Sequence, residues 1–201
     1  MIDRAMQTRE RLLEQFPEYP LMQIEEKLQK GRVILAIEGP CASGKSTLAG
    51  LLKQIYGCSV FHMDDFFLRP EQRTTERLAK PGENVDWERF LEEVLLPISQ
   101  DKSVTYRPFD CSVMALKDGI VIEPGRFVVI EGAYCMHPQL REYYDFSLFL
   151  NIDSDLQKKR IQKRNTPEKA ERFFSTWIPM EQKYFKELAI KEYCDLVIEV
   201  K

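Results

Sequence analysis

The stretch Val33-Ile34-Leu35-Ala36-Ile37, followed one residue later by Gly39-Pro40-Cys41-Ala42-Ser43-Gly44-Lys45-Ser46, decides the fold. A continuous apolar run without alternation is a strand buried on both faces, the mark of a parallel sheet covered by helices. The residues after it match GxxxxGK[ST] in full, and residues 47–56 read as the helix that the motif must open. The glycines let backbone N–H groups fold around phosphates, and the helix N-terminus adds positive potential there. Gly39, Ala42, Ser43, Gly44, Lys45, Ser46 and Thr47 are therefore the predicted phosphate-binding residues. Lys45 is expected to reach the β- and γ-phosphates of a nucleotide, and the Ser46 hydroxyl to ligate Mg²⁺. The simpler alternative is a glycine turn beside an exposed lysine.

Working outward, similar apolar runs recur at 58–63, 127–130, 146–152 and 196–200. Helical patterns lie at 45–56, 86–96, 138–144, 154–164 and 168–190. Alternation of this kind predicts an α/β, three-layer phosphate-loop fold with a mainly parallel, five-stranded sheet and right-handed crossovers. Residues 103–107 and 120–123 fit a small hairpin insertion, with Pro124-Gly125 turning into the next strand. Ahead of the loop, Met6, Arg9, Leu12 and Leu13 sit at helical spacing, with Phe16 before Pro17. A second amphipathic stretch carries Ile24 and Leu28 and stops at Gly31. The expected organisation is a helical extension over 1–31 and a phosphate-loop domain over 32–201, with a lid at about 158–180.

Composition narrows the class. The chain has 201 residues, 44% hydrophobic and 30% charged, which reads as globular. A chain of this length buries roughly 70% of its unfolded surface, enough for a core without disulfides or structural metal. Lys+Arg number 29 against Asp+Glu 32, so the basic excess of a nucleic-acid binder is missing. The five cysteines are scattered, no CxxC pair exists and only two histidines are present, which argues against zinc and for reduced thiols in a cytoplasmic protein. The N-terminus lacks the apolar core of a signal peptide, and no apolar run approaches 18 residues, so no membrane span is expected.

The remaining motifs choose among phosphate-loop proteins. No N-K-x-D segment of a guanine-specific switch is present, and large ATPase machines need more chain. A kinase needs a base, a second magnesium acid and cations around the transferring group. His62-Met63-Asp64-Asp65-Phe66-Phe67 ends the second strand, where carboxylates face the ligand crevice of an open parallel sheet. Asp64 is the candidate base and a water-mediated magnesium contact; the alternative is a helix cap. Phe127-Val128-Val129-Ile130-Glu131-Gly132 is a buried strand closed by an acid, so that Glu131 with Ser46 would hold Mg²⁺. Residues 158–164 carry Arg160 and Arg164 on one helix face, either solvated surface or a lid bringing guanidinium groups to the γ-phosphate.

With these residues placed, the sequence resembles the uridine kinase-like family of phosphate-loop kinases from about Arg32 onward. Asp64-Asp65-Phe66-Phe67 looks like the family's D-[DS]-F-[YF] segment, whose first acid is the catalytic base. Asn84-Val85-Asp86-Trp87 is similar to the segment whose aspartate binds ribose hydroxyls, although Asp86 also suits a helix N-cap with Arg89 at N3. Tyr106-Arg107-Pro108-Phe109-Asp110 resembles a hairpin that reaches the nucleobase, but Met114 stands where that pattern has a base-reading histidine. Trp177-Ile178-Pro179-Met180-Glu181-Gln182-Lys183-Tyr184 looks like a family stretch that packs the lid helix or touches substrate. The resemblance implies Asp86, Asp65, Phe67, Arg107 and Tyr106 on the acceptor side. It also implies ATP and Mg²⁺ as cofactors, and phosphoryl transfer to a hydroxyl of a nucleoside-like small molecule. A kinase of another small alcohol, of pantothenate or phosphoribulose type, and a non-catalytic nucleotide-binding regulator are the alternatives. The extension ahead of the loop is expected to be a capping helix or a homo-oligomer contact.

Overall fold

The computed structural model describes residues 2–201, with side chains from residue 6 onward. Helices α1 (Ile2–Leu13) and α2 (Tyr19–Lys30) precede strand β1 (Val33–Glu38) and helix α3 (Lys45–Tyr56). Strand β2 (Ser59–His62) leads through two short 3-10 turns, Met63–Asp65 and Pro70–Gln72, to α4 (Thr75–Leu78) and α5 (Trp87–Phe90), which continues through a π turn into α6 (Leu96–Ser99). Two nested antiparallel pairs follow: β3 (Val104–Tyr106) with β6 (Ile120–Ile122), and β4 (Phe109–Asp110) with β5 (Ala115–Leu116). The chain closes with β7 (Phe127–Glu131), β8 (Phe146–Ile152), α7 (Ser154–Arg164), α8 (Pro167–Arg172), α9 (Ile178–Glu187) and β9 (Leu196–Val200).

Five strands pair in parallel in the order β2-β7-β1-β8-β9, the α/β sheet expected from the apolar runs. Both faces are covered, and the pleat decides which side chain goes where. Val33, Leu35 and Ile37 of β1 point into the layer holding Leu12, Phe16, Ile24, Leu48 and Leu52 from α1–α3 and the turn after α1. Ile34 and Ala36 point the other way, into a layer with Phe61, Phe90, Val94 and Tyr184. Leu12 and Ile24 are fully buried, so the segment ahead of β1 supplies side chains to one of the two cores.

Two helical expectations change. Residues 138–144 form only a short 3-10 turn, Arg141–Tyr143. Two side chains pull the segment back on itself: Tyr144 Oη donates to Cys135 O (2.7 Å) and Arg141 Nε to Met136 O (2.9 Å). The stretch 168–190 is helical from Pro167 to Glu187, running from α8 through a π turn at Phe173–Trp177 into α9, but it ends before Ala189, which adopts a left-handed conformation (φ 48°). Among the described residues no helix is long and apolar enough to cross a membrane.

The topology fixes where a ligand goes. β1 is central, the next strand in the chain lies to one side of it, and β8 and β9 lie to the other. The connections therefore diverge at the carboxyl end of β1 and open a crevice there. Gly39 begins the loop in this crevice with φ 144°, and a Cβ at that position would lie 2.5 Å from Leu150 O of β8. Only glycine lets the loop pass that strand.

Candidate active site

The phosphate loop turns from β1 into α3 through residues of unusual backbone shape: Ala42 (φ 64°) and Gly44 (φ 102°), the residue before the first turn of α3. Lys45 is almost buried, and its Nζ donates to Gly39 O (2.7 Å) and Pro40 O (2.9 Å). Ser43 Oγ is buried in the loop without a hydrogen-bond partner. Ser46 Oγ donates to Glu131 Oε1 at 3.0 Å. The register of β2 on β7 pairs His62 with Glu131, and His62 Nδ1 lies 2.5 Å from the same carboxylate oxygen. That bond, opposed by burial and helped by the charges of Glu131, Asp65 and Asp64, raises the imidazole above its ordinary value.

A cleft of about 690 Å³ runs along the loop. Of the sequence-predicted residues it brings together Ala42, Ser43, Gly44, Lys45, Ser46, Thr47, Asp64, Phe67, Glu131, Arg160 and Arg164. Asp64 stands on the turn after β2, exposed at the cleft. Desolvation by the surrounding protein is the main force raising its carboxyl above the usual range; Lys45 opposes it, and the negative charges of Glu131 and Asp65 add to it. A carboxyl moved toward neutral pH is a better proton acceptor for an alcohol.

The other predicted residues lie outside the cleft wall. Gly39 is packed against β8. Asp65 turns away from the cleft and accepts a short hydrogen bond from Tyr106 Oη, so Tyr106 acts on the acid turn. Arg107 pairs with Glu93. Asp86, 1% exposed, caps α5 by accepting from Arg89 N at 3.2 Å. Its Oδ2 makes no hydrogen bond, with Arg89 Nε at 3.6 Å and Arg69 Nε at 3.7 Å. Arg89 fastens this region: it donates to Asp65 O (3.1 Å) and Arg107 O (2.8 Å), and its guanidinium sits 3.9 Å over the Phe66 ring.

Two acids that the loop motif does not include grip the loop from behind. Glu38, fully buried at the end of β1, accepts from Gly39 N (2.8 Å), Met136 N (3.0 Å) and Tyr184 Oη (3.0 Å). Burial outweighs those donors and Lys45, and pushes its carboxyl up to about 7. Glu181 on α9 accepts from Cys41 N at 2.9 Å, and burial raises it too. The signals in the sequence were an acid ending an apolar run and the Glu of the Trp177–Tyr184 stretch. On the lid side Arg160 donates to Ala42 O (3.2 Å), and Arg164 lies 5.4 Å from the Phe173 ring. Trp177 and Phe67 line the cleft with ring centroids 6.5 Å apart.

The donor set fits a nucleotide and magnesium. Ser46, Glu131 and Asp64 offer one hydroxyl and two carboxylates beside the loop, and Mg²⁺ needs no more because it keeps waters and shares phosphate oxygens. Among the described residues no group of three His, Cys, Asp or Glu forms a closed metal cage.

The family model described as phosphoribulokinase / uridine kinase matches residues 34–172. No curated protein sequence matches the chain. Among solved structures, a Bacillus stearothermophilus protein described as a possible uridine kinase is 22% identical, covers 83% of this chain and 88% of its own, and superposes with a TM-score of 0.61. A Silicibacter protein provisionally named a fructose transport system kinase is 24% identical over 83% of this chain and 89% of its own, with a TM-score of 0.64. At these identities both are likenesses of fold.

Proposed function

The chain belongs to the phosphoribulokinase/uridine kinase family of phosphate-loop kinases, and from that premise we propose that it transfers the γ-phosphate of ATP, with Mg²⁺, to a hydroxyl of a nucleoside or similar ribosyl small molecule. The observation that supports this best is the convergence in one cleft of Lys45, the Ser46–Glu131 couple and an Asp64 carboxyl raised by its surroundings. Asp64 accepts the proton of the acceptor hydroxyl as the oxygen bonds to the γ-phosphorus. The bond to the bridging oxygen breaks, and its electron pair leaves with ADP. Lys45, with Arg160 and Arg164 from the lid, offsets the charge on the transferring group, and lid closure excludes water. Bound Mg²⁺ supplies further charge neutralisation; Ser46 and Glu131 would hold it, with Asp64 acting through water.

On this reading residues 32–201 carry the phosphotransfer machinery, with the lid at about 158–180, and residues 1–31 are an added helical element. Phe67 and Trp177 offer aromatic surface to the acceptor at the cleft wall, and the unbonded Oδ2 of Asp86 offers an acceptor for a diol. All five cysteines are free thiols, which suits a cytoplasmic setting. One observation favours a second reading: Asp86 is enclosed behind Arg69 and Arg89, so a non-ribosyl alcohol remains a rival acceptor.

A panel of ribonucleosides and other small alcohols, read by coupled ADP release, separates these. Stimulation by a ribosyl compound supports the proposal, and stimulation only by another alcohol favours the rival. Tight ATP binding with no stimulated release would make the protein a nucleotide-binding regulator. Asp64→Asn is expected to lower kcat by about 10²–10⁴ while nucleotide still binds; near-unchanged turnover would refute the base assignment.

A further inference from the structure

The phosphoryl-transfer chemistry uses one side of the cleft, and the other side has its own wall. All five strands are parallel, so their carboxyl ends share one edge, with the phosphate loop after the central strand. Glu131 ends β7 and Asp64 follows β2, one and two strands to one side, or ~5 and ~10 Å at ~4.8 Å per strand. Two strands to the other side, Val200 and Lys201 at the end of β9 line the cleft, together with Gln15 and Phe16 from the corner between α1 and α2. A nucleoside triphosphate laid along the loop with its γ end toward Asp64 therefore carries its base toward this second group.

We propose that Gln15 and Phe16 form part of the nucleobase pocket of the phosphoryl donor, so that the segment ahead of β1 helps select the base. The inference rests on the nucleotide reading of the cleft given above. The corner is held in place rather than free. Arg9 Nη1 donates to Glu25 (2.6 Å) and to Tyr56 Oη (3.3 Å), and Tyr56 Oη donates to Glu25 (2.6 Å), which binds α1, α2 and the end of α3 together. Phe16 is anchored in the core at 6% exposure and gives the wall a fixed apolar surface. Gln15 is exposed, and its side chain makes a long hydrogen bond from Nε2 to Arg11 O at 3.4 Å. A carboxamide presents a donor and an acceptor side by side, the pattern that pairs with adenine. Arg160 crosses the same side, donating to Ala42 O and to Lys201 O (3.1 Å), and brings a planar guanidinium to the pocket. The family match spans 34–172, so both Gln15–Phe16 and the end of β9 lie outside what the family model describes.

The test is direct binding of ATP, GTP and inorganic tripolyphosphate to the full chain and to Gln15→Ala, an exposed position whose loss leaves the core intact. The expected result is ATP weakened by about three- to tenfold, the range of a single neutral hydrogen bond, a reduced preference between ATP and GTP, and unchanged tripolyphosphate binding. Phe16→Leu should weaken both nucleotides and again spare tripolyphosphate. Unchanged ATP and GTP affinities in Gln15→Ala, or a loss equal for tripolyphosphate, would overturn the pocket. Selective loss of ATP in a protein that turns over no acceptor would sink the phosphotransfer reading and leave the pocket standing.

Discussion

Glu38→Gln removes one buried charge and leaves the shape of the phosphate-loop anchor almost unchanged. In the folded protein burial holds this carboxyl at about 7, above its ordinary 4.5. Between those values the folded chain binds the proton that the unfolded chain has released, so stability falls as pH rises through the window. The contribution is present in full below pH 4.5 and is gone above about 7. At ~1.4 kcal/mol per pH unit the gap is worth about 3 kcal/mol. Glutamine does not titrate, but its amide can satisfy only some of the donors that now point at Glu38. Leaving Met136 N or Gly39 N without an acceptor costs about 1–3 kcal/mol at every pH. Wild type is therefore expected to be the more stable protein at pH 5, with the difference shrinking or reversing by pH 8. Urea unfolding of both proteins at pH 5, 6, 7 and 8 measures this, because every other titrating group is common to the two. Stability curves that stay parallel across the window would refute the argument.

Four further outcomes follow. Gly39→Ala must move the loop or β8, since the new Cβ meets Leu150 O at 2.5 Å in a left-handed backbone; a loss of about 2–4 kcal/mol is expected in unfolding titrations, with weakened nucleotide binding. Gly50→Ala on α3, where a Cβ meets nothing within 4 Å, should be neutral or stabilising by up to about 1 kcal/mol and serves as the contrast. Leu12→Ala should cost about 2–5 kcal/mol in the same titration, because this α1 side chain is fully enclosed against α3. Asp86→Asn keeps the cap on Arg89 N and removes the charge; KM for a ribosyl acceptor should rise about ten- to a hundredfold in initial-rate assays, the range of a hydrogen bond to a charged group, and an unchanged KM would refute the diol role.

The sheet was legible because parallel buried strands need apolar side chains on both faces, and their runs stand out against the polar helices between them. The spans of α3, β8, α7 and β9 match the sequence pattern residue for residue, since the loop glycine, the Asp153 cap and the strand ends are local signals. Partners far apart in the chain were not legible. Glu38 is an acid in an apolar run until Met136 and Tyr184, 98 and 146 residues away, are seen to bond it. Tyr106 was readable as part of a hairpin, but the pleat turns its hydroxyl onto Asp65, and nothing in the spacing says so. The segment 138–144 had helical composition, and two backbone-directed side chains curled it into a turn.

Arg89 has a consequence for how this enzyme scaffold can diversify. By tying the carbonyls of Asp65 and Arg107 to one guanidinium stacked on Phe66, it welds the root of the hairpin to the acid turn. The hairpin cannot slide relative to Asp64 without breaking that weld, whereas its tip, with Val113 and Met114 exposed, is unconstrained by it. On the function proposed above, the tip residues are the ones to exchange for a new acceptor preference, and a hairpin grafted from a relative is expected to stay aligned with Asp64 only if it presents a carbonyl to this arginine.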